Sequence, residues 1–133
     1  MRKLLIVILT AALLPFAGCE KSEGEGGRAS IIGKIIVQKR ERIQNSIIAE
    51  YPAMEERVYI VYGNSETVVA DDDTRTSYDG YYEFNYLFPG DYKIYVYSEC
   101  RQCPEEVEPI IKEIKIGKAQ NDVEVEDIYI TVY

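Results

Sequence analysis

The sequence contains no histidine and no tryptophan, and it has only three cysteines among 133 residues. Without histidine the chain lacks the most common general base and a principal zinc ligand, and it can form no Ser-His or Cys-His catalytic pair. We therefore expect no enzymatic activity and no cofactor. The composition favours a binding or structural protein.

The one long apolar segment is too short for a permanent membrane span. A basic start, Met1-Arg2-Lys3, is followed by the 14 residues LLIVILTAALLPFA, Leu4 to Ala17. A spanning helix needs about 20 apolar residues, whereas a basic start and a short apolar run are typical of a secretory signal. We expect residues 1–18 to be removed on export.

The residues just after this run, Ala17-Gly18-Cys19, resemble the lipobox of bacterial lipoproteins. In a lipobox the cysteine thiol receives diacylglycerol and the signal is cut just before it. Phe16 departs from the pattern, which normally carries Leu, Val or Ile at that position. The resemblance implies lipidation at Cys19 and membrane attachment through it. The alternative is an ordinary secretion signal with a structural cysteine.

A charged, glycine-rich segment, EKSEGEGGRAS, follows Cys19 and has no apolar residue except Ala29. Such a segment has little to pack, so residues 19–30 are predicted to be a flexible tether. Its early acidic residues resemble the export signal of Bacteroidetes surface lipoproteins. That resemblance implies a lipid-anchored protein of the outer membrane, exposed at the cell surface.

Acidic residues outnumber basic residues, and the net charge is −8. Removal of residues 1–18 takes away Arg2 and Lys3 and no acid, which leaves 13 basic and 23 acidic residues and a net charge of −10. This surplus repels phosphate backbones and anionic lipids, so neither nucleic acid nor an anionic membrane surface is an expected partner.

The remaining segment, residues 31–133, is long enough for one domain and reads as a succession of strands. The predicted strands are IIGKIIVQ, RVYIVYG, ETVVAD, GYYEFNYL, DYKIYVYS, PIIKEIKIG and VEVEDIYITVY. Segment 40–57 is ambiguous between a helical turn and a second piece of the first strand. Seven short strands separated by turn signals predict an all-β sandwich.

The alternation of side chains along a strand predicts which residues face the core. The predicted core residues are Tyr82, Phe84, Tyr92, Ile94 and Val96, and Leu87 is predicted to close the corner before Pro89-Gly90. Tyr95 and Tyr97 fall on the outer face of their strand, with Tyr81 expected nearby across a hairpin. These three tyrosines form a candidate binding face for a surface glycan or an envelope protein. The alternative is cross-strand pairing that only stabilises the sheet.

The stretch TSYDGYYEFNYLFPGDYKIYVY resembles the signature of carboxypeptidase regulatory-like domains. The matching residues are Thr76, Asp79, Gly80, Tyr82, Phe84, Leu87, Pro89, Gly90 and Tyr92. The resemblance implies a transthyretin-like, seven-stranded Greek-key sandwich with a binding or structural role. It implies no peptidase activity, because the domain is named after a neighbouring enzyme.

The three consecutive acids Asp71-Asp72-Asp73, together with Asp79, offer oxygen atoms of the kind that Ca²⁺ prefers. The spacing matches no EF-hand loop, because Arg75 stands where the third alternate ligand would be. A solvated acidic turn is the favoured interpretation, and a calcium site is the alternative.

The other two cysteines, Cys100 and Cys103, form the motif C-R-Q-C in an exported chain. A local disulfide is the first interpretation. Two further ligands for zinc are missing, and the following acids Glu105 and Glu106 would raise the pKa of a redox-active thiol. Free thiols remain an alternative. A periplasmic or surface thiol-disulfide protein is the alternative function.

Overall fold

The computed structural model describes residues 22–133, and these form nine strands and no helix. The strands are β1 (Glu25–Arg40), β2 (Ile47–Pro52), β3 (Arg57–Tyr62), β4 (Asp72–Arg75), β5 (Tyr81–Leu87), β6 (Gly90–Glu99), β7 (Val107–Ile116), β8 (Asp122–Glu124) and β9 (Ile128–Val132). Within this part of the chain no helix could cross a membrane. The predicted all-β class is confirmed.

Strand β1 is the centre of a five-stranded sheet. Its first half lies between antiparallel β5 and parallel β8, so that Ile31 has Phe84 on one side and Val123 on the other. Its second half lies in the same way between antiparallel β2 and parallel β9. The long strand therefore ties four separate segments into one layer.

The second sheet is antiparallel, with strands in the order β4-β3-β6-β7. Strands β6 and β7 pair over ten residues each, from Gly90 beside Ile116 to Glu99 beside Val107. Because β5 belongs to the first sheet and β6 to the second, the corner at Pro89 carries the chain from one layer to the other. The two sheets enclose the core in a sandwich-like arrangement.

The core consists of the inward-facing side chains of both sheets. Its largest fully buried members are Tyr82, Tyr92, Ile31, Ile35, Ile60, Leu87, Ile94, Ile116, Ile128, Val58 and Val96. All five residues predicted from alternation to face the core do so, and Leu87 at the corner is buried as well. Burying these apolar surfaces is the main favourable contribution to folding.

The number and position of the strands differ from the sequence prediction. Segment 66–71 is a loop, and the fourth strand is instead the acidic stretch Asp72–Arg75. The last predicted strand divides into β8 and β9, and segment 40–57 contains β2. The sandwich therefore has nine strands in the described residues rather than seven. The Greek-key order stays a prediction.

The ordered domain also begins earlier than predicted. Strand β1 starts at Glu25, Ala29 is buried, and the amide of Gly24 donates a hydrogen bond to the Tyr92 hydroxyl at 3.0 Å. The predicted flexible tether is therefore wrong for residues 25–30. Backbone pairing with β5 orders this segment even though it carries almost no apolar side chain.

Tyr92 fixes the corner between the two sheets. Besides accepting from Gly24, its hydroxyl donates to the carbonyl of Phe88, four residues upstream, at 2.6 Å. Sandwich domains use a tyrosine in this manner to hold a corner. Burial raises the pKa of Tyr92, so the hydroxyl keeps the proton that this bond needs.

Thr76 holds a second junction, between the β2–β3 loop and the segment before β5. Its buried hydroxyl donates to the Ala53 carbonyl at 2.6 Å and accepts from the Glu56 amide at 2.8 Å. Gly80 follows with φ of +82°, a left-handed conformation that glycine adopts readily in a tight turn.

Candidate functional site

Three tyrosines lie together on the outer face of the four-stranded sheet. The ring of Tyr95 stacks on that of Tyr59, its partner in β3, with centroids 4.8 Å apart and planes 11° apart. The ring of Tyr97 meets both edge-on, each at 5.8 Å. We call Tyr59, Tyr95 and Tyr97 the tyrosine cluster.

The members of the tyrosine cluster differ sharply in exposure. Tyr95 is only 4% exposed because its neighbours cover it, whereas Tyr97 is 45% exposed. Burial, with smaller effects from Tyr97 and Tyr59, raises the pKa of Tyr95. Both predicted tyrosines do point outward, but Tyr95 is not open to solvent as the sequence suggested. Tyr97, with part of Tyr59, is the accessible surface.

The surroundings of the tyrosine cluster are apolar on one side and charged on the other. In β7, Ile111 lies beside Tyr95 and Pro109 beside Tyr97, and both are exposed. On the β4 side an ion pair joins Arg57 to Asp73 at 3.4 Å. The outer face of this sheet is thus an open surface with exposed aromatic and aliphatic groups and polar groups at its margin.

Tyr81 does not belong to this face, and the prediction that placed it there is wrong. It lies in β5, which pairs with β1 in the other sheet, and its ring lies 4.9 Å from the ammonium group of Lys34. The error came from treating β5 and β6 as a hairpin. Tyr129, in β9, is likewise exposed on the five-stranded sheet.

Sequence reasoning missed Tyr59. The signal was present, since alternation in RVYIVYG puts Tyr59 opposite the buried residues Val58 and Ile60. What the sequence could not supply was the pairing of β3 with β6, which brings Tyr59 against Tyr95.

The predicted disulfide between Cys100 and Cys103 is confirmed, with the two Cα atoms 5.4 Å apart. Glu108 lies close by, its Oε2 atom 3.9 Å from the Cys103 sulfur. These three residues are the single cluster of metal-ligand types within residues 22–133. Because the two sulfurs are bonded to each other, neither is available as a thiolate ligand.

The four acids considered for calcium do not converge into a common set of ligands in the described chain. Asp71 accepts a hydrogen bond from the Tyr62 amide at 2.7 Å, and Asp73 is engaged by Arg57. Asp72 accepts from the amide of Asp73. Asp79 lies apart, in the turn before β5. The arrangement fits a solvated acidic strand rather than a cation site.

A polar groove lies at the end of the sandwich that carries the disulfide. It encloses about 600 Å³ and is lined by residues from the β1–β2 turn, the β6–β7 loop and the end of β9. Tyr133 is fixed there, since its amide donates to Glu99 at 2.7 Å and its hydroxyl to Asn45 at 3.1 Å. We call this the disulfide-end groove.

Cys19 lies outside the described residues, so its lipidation stays a prediction. No family model matches the chain, and no curated protein matches it. A similar solved structure is the crystal structure of a "putative carbohydrate binding protein" from Pseudomonas aeruginosa, which is 12% identical with a TM-score of 0.47. The match covers 82% of this chain and 91% of that chain.

Proposed function

We propose that this protein is a non-catalytic binding module of the cell envelope, anchored by lipid at Cys19 and facing outward from the outer membrane. The observation that carries the proposal is the tyrosine cluster, which leaves a half-exposed aromatic ring on the outer face of the four-stranded sheet. Tyrosine supplies rigid, amphipathic contact area at low entropic cost, and aromatic residues are enriched in binding surfaces.

The geometry favours a partner that lies flat on the sheet, such as a surface glycan or an envelope protein. Tyr97 is held edge-on by Tyr95 and Tyr59, so little side-chain freedom is lost when a partner covers it. The neighbouring Ile111 and Pro109 extend the contact area. The ion pair at the margin offers charged groups for hydrogen bonds at the rim.

The small sequence separation between Cys19 and the first strand supports a role close to the membrane. Six residues lead from Cys19 to the start of β1 at Glu25, and a chain of this length spans at most about 20 Å. A lipid at Cys19 would therefore hold the sandwich near the outer surface of the membrane. Such a position suits a module that captures a partner at the envelope.

The resemblance to carboxypeptidase regulatory-like domains is part of the proposal, and the roles of the signature residues support it. Thr76 and Tyr92 make buried hydrogen bonds at the two junctions described above. Tyr82, Phe84 and Leu87 lie in the core. These five signature positions thus have a structural function in this sandwich.

The test compares two single variants with matched exposure. Tyr97→Ser removes the accessible ring of the tyrosine cluster, and Tyr129→Ser removes a ring that is 47% exposed on the other sheet. Reversible binding of the purified proteins, each made in a Cys19→Ser background that carries no acyl chain, to isolated cell envelopes is measured by co-sedimentation. Loss of envelope binding in Tyr97→Ser but not in Tyr129→Ser, at unchanged melting temperature, supports the proposal. Equal binding by both variants and the parent would overturn it and favour a stabilising role for the cluster.

The second candidate function, thiol-disulfide exchange, rests on the exposed position of the loop that carries Cys100 and Cys103. An insulin-reduction assay separates it from the first. Turnover that disappears with Cys103→Ser would establish redox chemistry, whereas no turnover above the uncatalysed rate would remove it.

A further inference from the structure

Arg101 lies inside the four-residue loop that the disulfide closes, and it joins three segments of the chain. Its guanidinium donates to the carbonyl of Arg42 in the β1–β2 turn. The same group lies over the ring of Tyr133, 5.4 Å from the centroid, at the end of β9. The disulfide restricts the backbone on both sides of Arg101, so it positions this side chain as a wall of the disulfide-end groove.

The groove continues past Arg101. A second depression, lined also by Arg42, Glu105 and Glu106, shares Glu99, Cys100, Arg101 and Tyr133 with the first. Arg101 therefore stands between two halves of one polar surface. A ligand of several units fits this shape better than a single small molecule.

Charges of opposite sign balance in the lining of the disulfide-end groove. Arg40 and Arg101 contribute two positive charges, and Glu99 and Glu108 contribute two negative charges. Within residues 22–133, none of these four makes an ion pair within 4.0 Å. Part of this lining is already engaged, since Arg40 donates to Asn45 and Gln38 and Glu99 accepts from the Tyr133 amide. The remaining N–H groups of Arg101 and the carboxylate of Glu108 still place donors and acceptors in one lining, which an anionic ligand would not require.

The chemistry of this lining matches hydroxyl groups. A sugar hydroxyl both donates and accepts, and guanidinium and carboxylate groups each provide two parallel hydrogen-bonding positions. The face of the Tyr133 ring that Arg101 does not cover offers an apolar surface for the carbon face of a sugar. We propose that the disulfide-end groove binds an uncharged saccharide chain, with Arg101 as a principal donor. This inference rests on the proposed binding function and gives it a second site and a ligand class.

The test is affinity electrophoresis of the purified full-length protein through gels containing starch, galactomannan or mixed-linkage β-glucan. Alginate and heparin serve as anionic comparators. Retardation is expected in at least one neutral gel and should weaken about 10-fold or more in Arg101→Ala. Arg101→Lys should weaken it as well, because lysine lacks the planar fork. Reduction of the disulfide should lower retention, since it frees the loop that positions Arg101.

The matched control is Arg75→Ala. Arg75 also donates to a backbone carbonyl across a loop, that of Glu55 at 2.8 Å, but does not line the groove. Normal retention of this variant with lost retention of Arg101→Ala supports the site. Retention of Arg101→Ala equal to the parent, retention by anionic gels only, or no retention in any neutral gel would each overturn it.

Tyr97→Ser in the same gels separates failure of the site from failure of the proposed function. Neutral retention that depends on Tyr97 and not on Arg101 overturns the groove and leaves the tyrosine cluster as the binding face. Retention that depends on Arg101 and not on Tyr97 supports the groove, even if envelope binding proves independent of the cluster.

Discussion

The hydroxyl of Tyr82 lies directly over the backbone of Gly33, its cross-strand partner in β1. A Cβ atom at position 33 would lie 2.3 Å from the Tyr82 Oη atom and 2.5 Å from Cζ. The tyrosine ring therefore occupies the space that any other residue would need. The aromatic ring covers the glycine and fills the core beside it, as aromatic side chains do opposite glycines in other sheets.

The first prediction is that Gly33→Ala destabilises the protein. The new methyl group would displace a ring that is 2% exposed, and overpacking of this kind costs about 1–3 kcal/mol. Urea unfolding followed by circular dichroism measures the change. Gly117→Ala is the control, because its nearest neighbour is the flexible end of Gln120. An equal free energy of unfolding for Gly33→Ala and the parent would contradict the packing argument.

The second prediction is that Tyr82→Phe and Tyr92→Phe affect the free energy of unfolding differently. The Tyr82 hydroxyl is buried and has no hydrogen-bond partner among the described residues, whereas the Tyr92 hydroxyl donates to Phe88 and accepts from Gly24. Tyr82→Phe should leave stability unchanged or raise it by about 1 kcal/mol. Tyr92→Phe should lower it by about 1–3 kcal/mol, because buried backbone groups lose their partner. Equal losses from both substitutions would show that Tyr82 does have a partner.

The sequence predicted which side chains face the core where this depends on alternation along one strand. It predicted little that depends on pairing between strands distant in the sequence. Tyr92, Ile94 and Val96 were assigned correctly because side-chain direction along a strand is a local property. Residues 25–30 were assigned to a tether because their order comes from β5, more than 50 positions away. The acidic strand β4 was missed because its partner β3, rather than its own composition, makes it a strand.

In the candidate site, too, local features were predictable and contacts between distant strands were not. The outward direction of Tyr97 followed from its sequence neighbours, but the burial of Tyr95 depends on Tyr59 in another strand. Tyr81 was misplaced because the corner at Pro89 changes sheets, a feature that resembles a hairpin turn in sequence. The disulfide was predictable because a separation of three residues leaves the two cysteines close in any turn.

The third prediction concerns alkaline pH. Burial, with smaller contributions from nearby acids, raises the pKa of Tyr62 to about 12, whereas an unfolded tyrosine titrates near 10. Between these values the native state holds more protons than the unfolded state, so stability falls as pH rises from about 10 to 12. Urea midpoints measured from pH 8 to 11.5 should decline less in Tyr62→Phe than in the parent. Parallel declines would place the Tyr62 pKa near its ordinary value.

The fourth prediction is that the disulfide contributes modestly to stability. It closes a loop with a sequence separation of three residues, and short loops gain the least from closure, about 3 kcal/mol or less. The double variant Cys100→Ser/Cys103→Ser should therefore keep the β-sheet signal in circular dichroism and melt at a lower temperature. In the parent protein, thiol labelling should detect neither Cys100 nor Cys103 before reduction and should detect both afterwards. Complete unfolding of the double variant would show a larger structural role.

The fifth prediction concerns Cys19, which follows an apolar run too short to span a membrane. Lipidation there contributes about 0.8 kcal/mol for each buried methylene, so two or three acyl chains suffice for stable attachment. Cys19→Ser should release the protein from the membrane fraction, whereas Cys103→Ser should remain attached because that cysteine is in the folded domain. Fractionation of cells and mass measurement of the N-terminal peptide provide the readout. A Cys19→Ser protein that stays fully membrane-bound, with its signal removed, would mean that the folded domain itself holds the protein to the envelope.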